Sequence, residues 1–212
     1  MTIHSLVFNP FYENTYIIHD EEGTAIIVDP GCYETYEKEQ LQAYIKTNNL
    51  QVKLILNTHC HIDHVLGNAF VKAEYEADLW IPEGEKDMIK AVGGYAANWG
   101  IDHFEQAVVD RYIDTSPISV GQLNFEVRLA PGHSPGHLVF YNAEEKALMG
   151  GDVLFRESIG RTDLPGGNHQ QLLESIRTEL FTLPEDTTVY SGHGPTTTIG
   201  FEKVHNPFVK NL

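Results

Sequence analysis

The sequence predicts an α/β protein of layered type, built from two similar halves. Three observations predict it. Short β-branched runs alternate with stretches of helical period, and this order of strands followed by helix occurs in the first half and again in the second. No long linker separates the halves. Residues of metal-ligand type stand at the ends of several predicted strands, where α/β sheets gather their functional loops.

Alternation and β-branched content predict strands at residues 3–8, 14–19 and 24–29, with "EEGT" at 21–24 as the turn between the last two. Residues 34–48 space Tyr36, Leu41, Tyr44 and Ile45 as an amphipathic helix does. "VKLIL" is a short buried strand with "THCHIDH" at its carboxyl end. A second helix is expected to start at Asp63, whose side chain can cap it. A strand at 78–81 and a helix at 83–97 that loosens at Gly93 and Gly94 follow. The segment 98–116 is poorly periodic, a loop with a strand near 108–113. The second half predicts strands at 117–120, 123–130, 137–142 and 146–150, a helix near 168–181 and a strand at 187–191.

Composition narrows the function classes. The chain carries 30 acidic and 14 basic residues, a formal net charge of −16, and no Lys/Arg run, so a nucleic-acid partner is not expected. Carboxylates that ligate divalent ions count in this sum yet are neutralised in the fold. The two cysteines, Cys32 and Cys60, form no metal or redox spacing, which suits a reducing compartment. No basic leader precedes an apolar core at the amino terminus, and no apolar run is long enough to span a bilayer. A cytoplasmic protein with no membrane partner is expected; the sequence assigns no oligomeric state.

The stretch "NTHCHIDHVLGN" places His59, His61, Asp63 and His64 within six positions. At a strand end alternate residues face one side, so both His59 and His61 can reach one ion while Cys60 points away. Asp63 and His64, in the turn into the helix, can face a second. One turn cannot surround two ions, so partners must come from elsewhere. His133 in "APGHSPGH", Asp152 in "LMGGDVLF" and His193 in "YSGHGP" each follow a predicted strand, and each is preceded by glycine.

"THCHIDH", "PGHSPGH", "GGDVLF" and "SGHGP", in that order, resemble the metallo-β-lactamase superfamily, and its glyoxalase II (hydroxyacylglutathione hydrolase) branch most. The likeness runs from "NPFYENTYII" through "VDPG" to the final "NPF", and "SIGRTDLPGG" adds to it. It implies a single domain over 1–212 with the four-layer αββα sandwich. It assigns His59, His61 and His133 to one metal, Asp63, His64 and His193 to a second, and Asp152 to both. Asp29 of "IIVDPG" matches a position that supports the ligands by hydrogen bonding. The implied cofactors are two divalent ions, zinc by expectation, with iron or manganese as other occupants.

Two ions about 3.5–4 Å apart can share a water and lower its pKa from 15.7 toward 7. They can also polarise a carbonyl and hold the developing oxyanion. The resemblance gives Asp63 a catalytic role, orienting that nucleophile. A thioester suits such a site because a thiolate leaves at a pKa near 8.5 without a strong acid. The implied function is a small-molecule thioester hydrolase.

Other residues carry weaker signals. His137 suits a structural or pocket-wall role, and His4, His19, His103, His169 and His205 lack partner motifs. Arg161, beside Asp163, can bind a substrate carboxylate or pin its loop. Tyr95 and Trp99 can wall a pocket or fill the core. Among relatives of other activity, β-lactamases generally carry Cys or Ser where Asp152 stands. A persulfide dioxygenase, using one iron at positions matching His59, His133 and Asp152, is the alternative. Full-length glyoxalase II enzymes carry a helical extension that grips glutathione. Here 17 residues follow Pro195, with Lys203 and Lys210 the basic ones.

Overall fold

The computed structural model describes residues 1–210 and divides into two units, Met1–Ile113 with Ser119–Leu123, and Asp114–Ile118 with Asn124–Leu212. In the first, strands β1 (Thr2–Phe8), β2 (Glu13–His19) and β3 (Thr24–Val28) pair antiparallel in sequence order. Then come α1 (Thr35–Thr47), β4 (Gln51–Leu56), α2 (Ile62–Val65), α3 (Asn68–Tyr75), β5 (Asp78–Pro82), α4 (Lys86–Tyr95) and β6 (Arg111–Ile113). The sheet order is β1 to β6, and β3 through β6 run parallel. Parallel neighbours need crossovers, and the helices supply them.

The core of this unit follows from the period of two. Ile17, Ala25, Ile27, Ile55, Leu79 and Ile81 point one way and pack with Leu41 and Ile45 of α1, Val71 of α3 and Ile89 and Val92 of α4. The alternate residues Ile18, Ile26, Leu54 and Leu56 are buried on the other face. Burial of both faces is why these strands read as continuous apolar runs.

The second unit continues with β7 (Ile118–Val120), β8 (Leu123–Leu129), β9 (Leu138–Asn142), β10 (Ala147–Gly151), a small hairpin of β11 (Leu154–Phe155) and β12 (Ser158–Ile159), and α5 (His169–Ser175). After α5 comes a π turn, Ile176–Leu180, then β13 (Thr188–Ser191), β14 (Thr197–Thr198) and α6 (Ile199–His205). The second sheet runs β14-β13-β10-β9-β8-β7, with β10 and β13 parallel. Its core joins Val139, Leu148 and Val189 to Leu172, Ile176 and Ile199. Glu202 of α6, fully buried, accepts from the Asn206 amide at 2.7 Å, from the Glu157 N–H at 3.0 Å and from Thr197 Oγ. Asn206 also donates to the Ser158 carbonyl at 2.9 Å, so α6 braces the hairpin that follows Asp152.

Every predicted strand and helix exists, with shifted ends. The strand expected near 108–113 is Arg111–Ile113, and α4 runs unbroken through Gly93 and Gly94 between two 3₁₀ turns, Glu83–Glu85 and Ala96–Trp99. The helix expected to start at Asp63 starts one residue earlier, with His61 at the cap position and no capping side chain. It breaks at Leu66 and Gly67, where the Gly67 N–H turns to the Pro30 carbonyl at 2.7 Å. The β11–β12 hairpin, β14 and α6 were not anticipated.

Leu79, fully buried in the first core, reports on that packing. Leu79→Ala should cost about 2–5 kcal/mol, the range for a large core cavity, measured by urea denaturation. A loss below about 1 kcal/mol would show that the first core collapses around the void.

Candidate metal centre

In the first unit the ligand-type residues lie just past β4. Residues 57–61 are loop rather than strand, yet the expected alternation persists. His59 and His61 face each other with ring centroids 4.7 Å apart, while Cys60 is buried in the core. Burial raises the Cys60 thiol far above its ordinary range, and its N–H donates to the buried Glu85 carboxylate at 3.0 Å. Cys60 therefore anchors the loop from behind. His64, on α2, puts its ring 4.2 Å from that of His59, and its Nε2 lies 3.7 Å from Oδ2 of Asp63.

Asp29 organises this set. Its carboxylate accepts from the Thr58 N–H at 2.7 Å and from the Thr58 hydroxyl at 2.6 Å. It also meets Nδ1 of His64 at 3.0 Å. Because Thr58 Oγ gives its proton to Asp29, it accepts from Nδ1 of His59, 3.0 Å away. Both imidazoles thus carry hydrogen on Nδ1, directly or through one hydroxyl, and present Nε2. Ligand atoms of Asp29, His59 and His64 lie within 4.8 Å of one another. The donors that Asp29 already accepts give it the supporting role expected of it.

In the second unit, Asp152 follows β10, His133 follows β8 and His193 follows β13. Oδ2 of Asp152 lies 3.5 Å from Nε2 of both His133 and His193. Nδ1 of His133 donates to the Arg161 carbonyl at 2.8 Å. His137, fully buried, accepts the Asp152 N–H on Nε2 at 3.1 Å, so it positions the Asp152 backbone. The glycine before His133 is required: Gly132 has φ +129°, and a Cβ there would overlap the Leu172 backbone.

These arrangements fit a metal. Separations of 3.5–3.7 Å are too long for hydrogen bonds. They match the edge of a tetrahedron whose ligands stand about 2.0–2.2 Å from a central ion, roughly 3.4 Å. Three histidines spend Nδ1 on an oxygen acceptor, the outer support that ligating imidazoles need.

Arg161 is pinned by a two-pronged pair with Asp163, at 2.7 and 2.8 Å, which holds the Asp163 carboxyl at about 2. Its link to the ligands is its carbonyl. Tyr95 packs on the first core, and its phenol is pushed up to about 12 by burial and then by the Asp63 charge. Trp99 is exposed and edge-on to Phe11 at 6.0 Å. Thr58, Glu85 and the fully buried Glu13 are not among the residues that the sequence motifs single out. Only Thr58, a hydroxyl directly before the first ligand, carried a sequence signal.

With the fold and both ligand sets described, the class is a metal-binding α/β protein. The sequence profile of the metallo-beta-lactamase superfamily matches residues 8–193, and the chain belongs to that superfamily and has its fold. The chain is 36% identical over 214 residues to hydroxyacylglutathione hydrolase GloC of Haemophilus influenzae, covering 100% of this chain and 99% of that protein. The solved structure of the BLEG-1 B3 metallo-beta-lactamase matches with TM-score 0.91 at 36% identity, over 98% of this chain and 99% of that one. TTHA1623 in a di-iron-bound form matches with TM-score 0.87 at 34% identity, over 97% and 100%. The superfamily is one of metallo-hydrolases, and metal-dependent hydrolase is the class of this chain. Among the described residues no helix is long and apolar enough to cross a membrane.

Thr58→Val preserves shape and removes the hydroxyl between His59 and Asp29. Metal affinity should fall about 10–100-fold, read by competition with a chromophoric chelator. Unchanged affinity would mean that another group sets the His59 tautomer.

Glu13 gives a pH signature. Burial, with Asp29 and Asp63 adding to it, raises its carboxyl well above the usual 4.5, so the fold favours its protonated form. The stability this contributes is complete below about 4.5 and declines as pH rises toward the raised value. Glu13→Gln should remove that decline, so its stability relative to wild type should increase between pH 5 and 8. Parallel urea-midpoint curves across that range would show that Glu13 ionises normally.

Proposed function

We propose that the chain is a binuclear metal-dependent thioesterase of the glyoxalase II type, acting as one domain over residues 1–212. His59, His61 and His133 hold one ion, Asp63, His64 and His193 the other, and Asp152 contacts both. The observation that carries this reading is Asp152. One of its carboxylate oxygens is equidistant, at 3.5 Å, from Nε2 of His133 and of His193, the two histidines that the superfamily pattern gives to different ions. The metals are zinc by expectation. The di-iron form of TTHA1623 supports iron as another occupant.

When bound, two divalent ions supply hydroxide at neutral pH and polarise the substrate carbonyl. The protein's own residues do the rest. Asp29 and Thr58 hold His59 and His64 in one tautomer, so no reorganisation is needed as charge develops. Asp63 orients the nucleophile. A thiolate leaves without a dedicated general acid. The 36% identity to hydroxyacylglutathione hydrolase GloC, over 99% of that protein, supports a glutathione thioester as substrate. A cytoplasmic site of action agrees with that substrate.

The test is thiol release from S-lactoylglutathione by metal-replete protein, with Asp152→Ala as the blank. Release should occur in wild type and fall to the uncatalysed rate in the variant. No release from protein carrying two ions per chain would eliminate glutathione thioesters. The likeness to BLEG-1 raises β-lactam hydrolysis as a further reading, tested with nitrocefin, although Asp152 stands where β-lactamases generally carry Cys or Ser. Oxygen uptake with glutathione persulfide tests the one-iron dioxygenase.

A further inference from the structure

Helix α2 carries Asp63 and His64 and is only four residues long. A helix this short cannot satisfy its own carbonyls, and each must find another donor. The helical donor for the Asp63 carbonyl is the Gly67 N–H, which is directed to Pro30 instead. Two asparagine side chains take up the work. Nδ2 of Asn9 donates to the Asp63 carbonyl at 2.9 Å and to the Gly31 carbonyl at 3.0 Å. Nδ2 of Asn57 donates to the His64 carbonyl at 2.9 Å and lies 3.4 Å from Oδ1 of Asp29. Carbonyls only accept, so the orientation of both amides is fixed by their partners.

Each asparagine is itself held. The Asn9 N–H donates to Glu37 at 2.6 Å. That buried carboxylate also accepts from the Tyr33 and Glu34 N–H groups, at 2.7 and 2.9 Å. Asn9 has φ +52°, a conformation asparagine tolerates better than most side chains, and its Oδ1 accepts the Phe11 N–H at 3.1 Å. Asn57 is fully buried, and its Oδ1 accepts from the Asn68 amide at 2.8 Å. Gly31 leaves room for this arrangement, since a Cβ there would stand 2.6 Å from Nδ2 of Asn9 and 2.7 Å from the Asp63 carbonyl.

We propose that Asn9 and Asn57 are positioning residues that clamp the carbonyls of Asp63 and His64 and thereby set the second metal's ligands. The clamp rests on the two-ion reading above. It makes a selective claim. His59 and His61 lie before α2 and do not use these amides, but Asn57 lies 3.4 Å from the Asp29 that supports His59 through Thr58, so it is loss of Asn9 that disturbs one ion and spares the other.

The experiment titrates metal-free protein with zinc against a chromophoric chelator, and with cobalt(II) followed by its visible absorption. It compares wild type with Asn9→Gly, Asn9→Asp and Asn57→Ser. Glycine keeps the left-handed backbone and removes the amide, while aspartate faces two carbonyls with an acceptor. Wild type should take two ions. The Asn9 variants should bind the first with unchanged affinity and the second about 10–100-fold more weakly, with an altered cobalt spectrum for that equivalent only, and Asn57→Ser should weaken the second at least as much. A second ion bound by Asn9→Gly as tightly as by wild type overturns the clamp, as does parallel weakening of both ions. Should Asn57→Ser fail to fold, Asn9→Gly decides. A wild-type chain that takes one ion overturns the two-ion reading before any variant is compared.

Discussion

The Asp29 carboxylate is the interaction on which the first ligand set depends. It stands where β3 ends, and it reaches the loop after β4 because those two strands are parallel neighbours. The residue adopts φ +49°, which costs a non-glycine residue about 1 kcal/mol or more. The surroundings over-determine it. Its N–H donates to Leu56, its carbonyl accepts from Thr15 at 2.9 Å, and its carboxylate takes Thr58 and His64. One strained backbone position converts the register of two strands into the orientation of two imidazoles.

The two units support their ligands by different means. In the first, a carboxylate stands behind His64 and, through a hydroxyl, behind His59. In the second, His133 leans on the neutral carbonyl of Arg161, and Asp152 is fixed through its backbone by His137. An anionic partner raises the basicity of an imidazole more than a carbonyl does. The same logic explains why Arg161 serves the ligands whatever its side chain does, because the contact is made by its main chain.

Much of this was legible in the sequence, for physical reasons. Strands β2 and β3, and β4 from Leu54 onward, are buried on both faces, so their apolar runs stand out, and α1 shows its stripe because only one side is covered. The ligand residues were legible because a metal demands particular side chains at close spacing. What escaped depends on distant partners. The break between α2 and α3 is made by the Pro30 carbonyl, which no local propensity encodes. The two-residue strands β11, β12 and β14 are too short for a period, and α6 is recognisable mainly through the buried Glu202 and Asn206, which look like surface residues in the sequence.

Asparagine and glutamate in buried positions mark the same limit within the site. Glu13, Glu37, Asn57 and Asn9 are all nearly or fully withdrawn from solvent, in a chain whose excess of acidic residues suggests solvated surface. Burying such groups is costly unless hydrogen bonds compensate. Glu37 is compensated by three backbone N–H groups, whereas Glu13 accepts from the Thr15 hydroxyl and burial raises its carboxyl well above the usual range. The difference follows from what each carboxyl faces. Donors converging on Glu37 make it a post for the loop that carries Asn9. Burial, and then the nearby Asp29 and Asp63 carboxylates, make a further negative charge at Glu13 unfavourable, while the Thr15 hydroxyl stands 2.9 Å from both the Glu13 carboxyl and the Asp29 carbonyl.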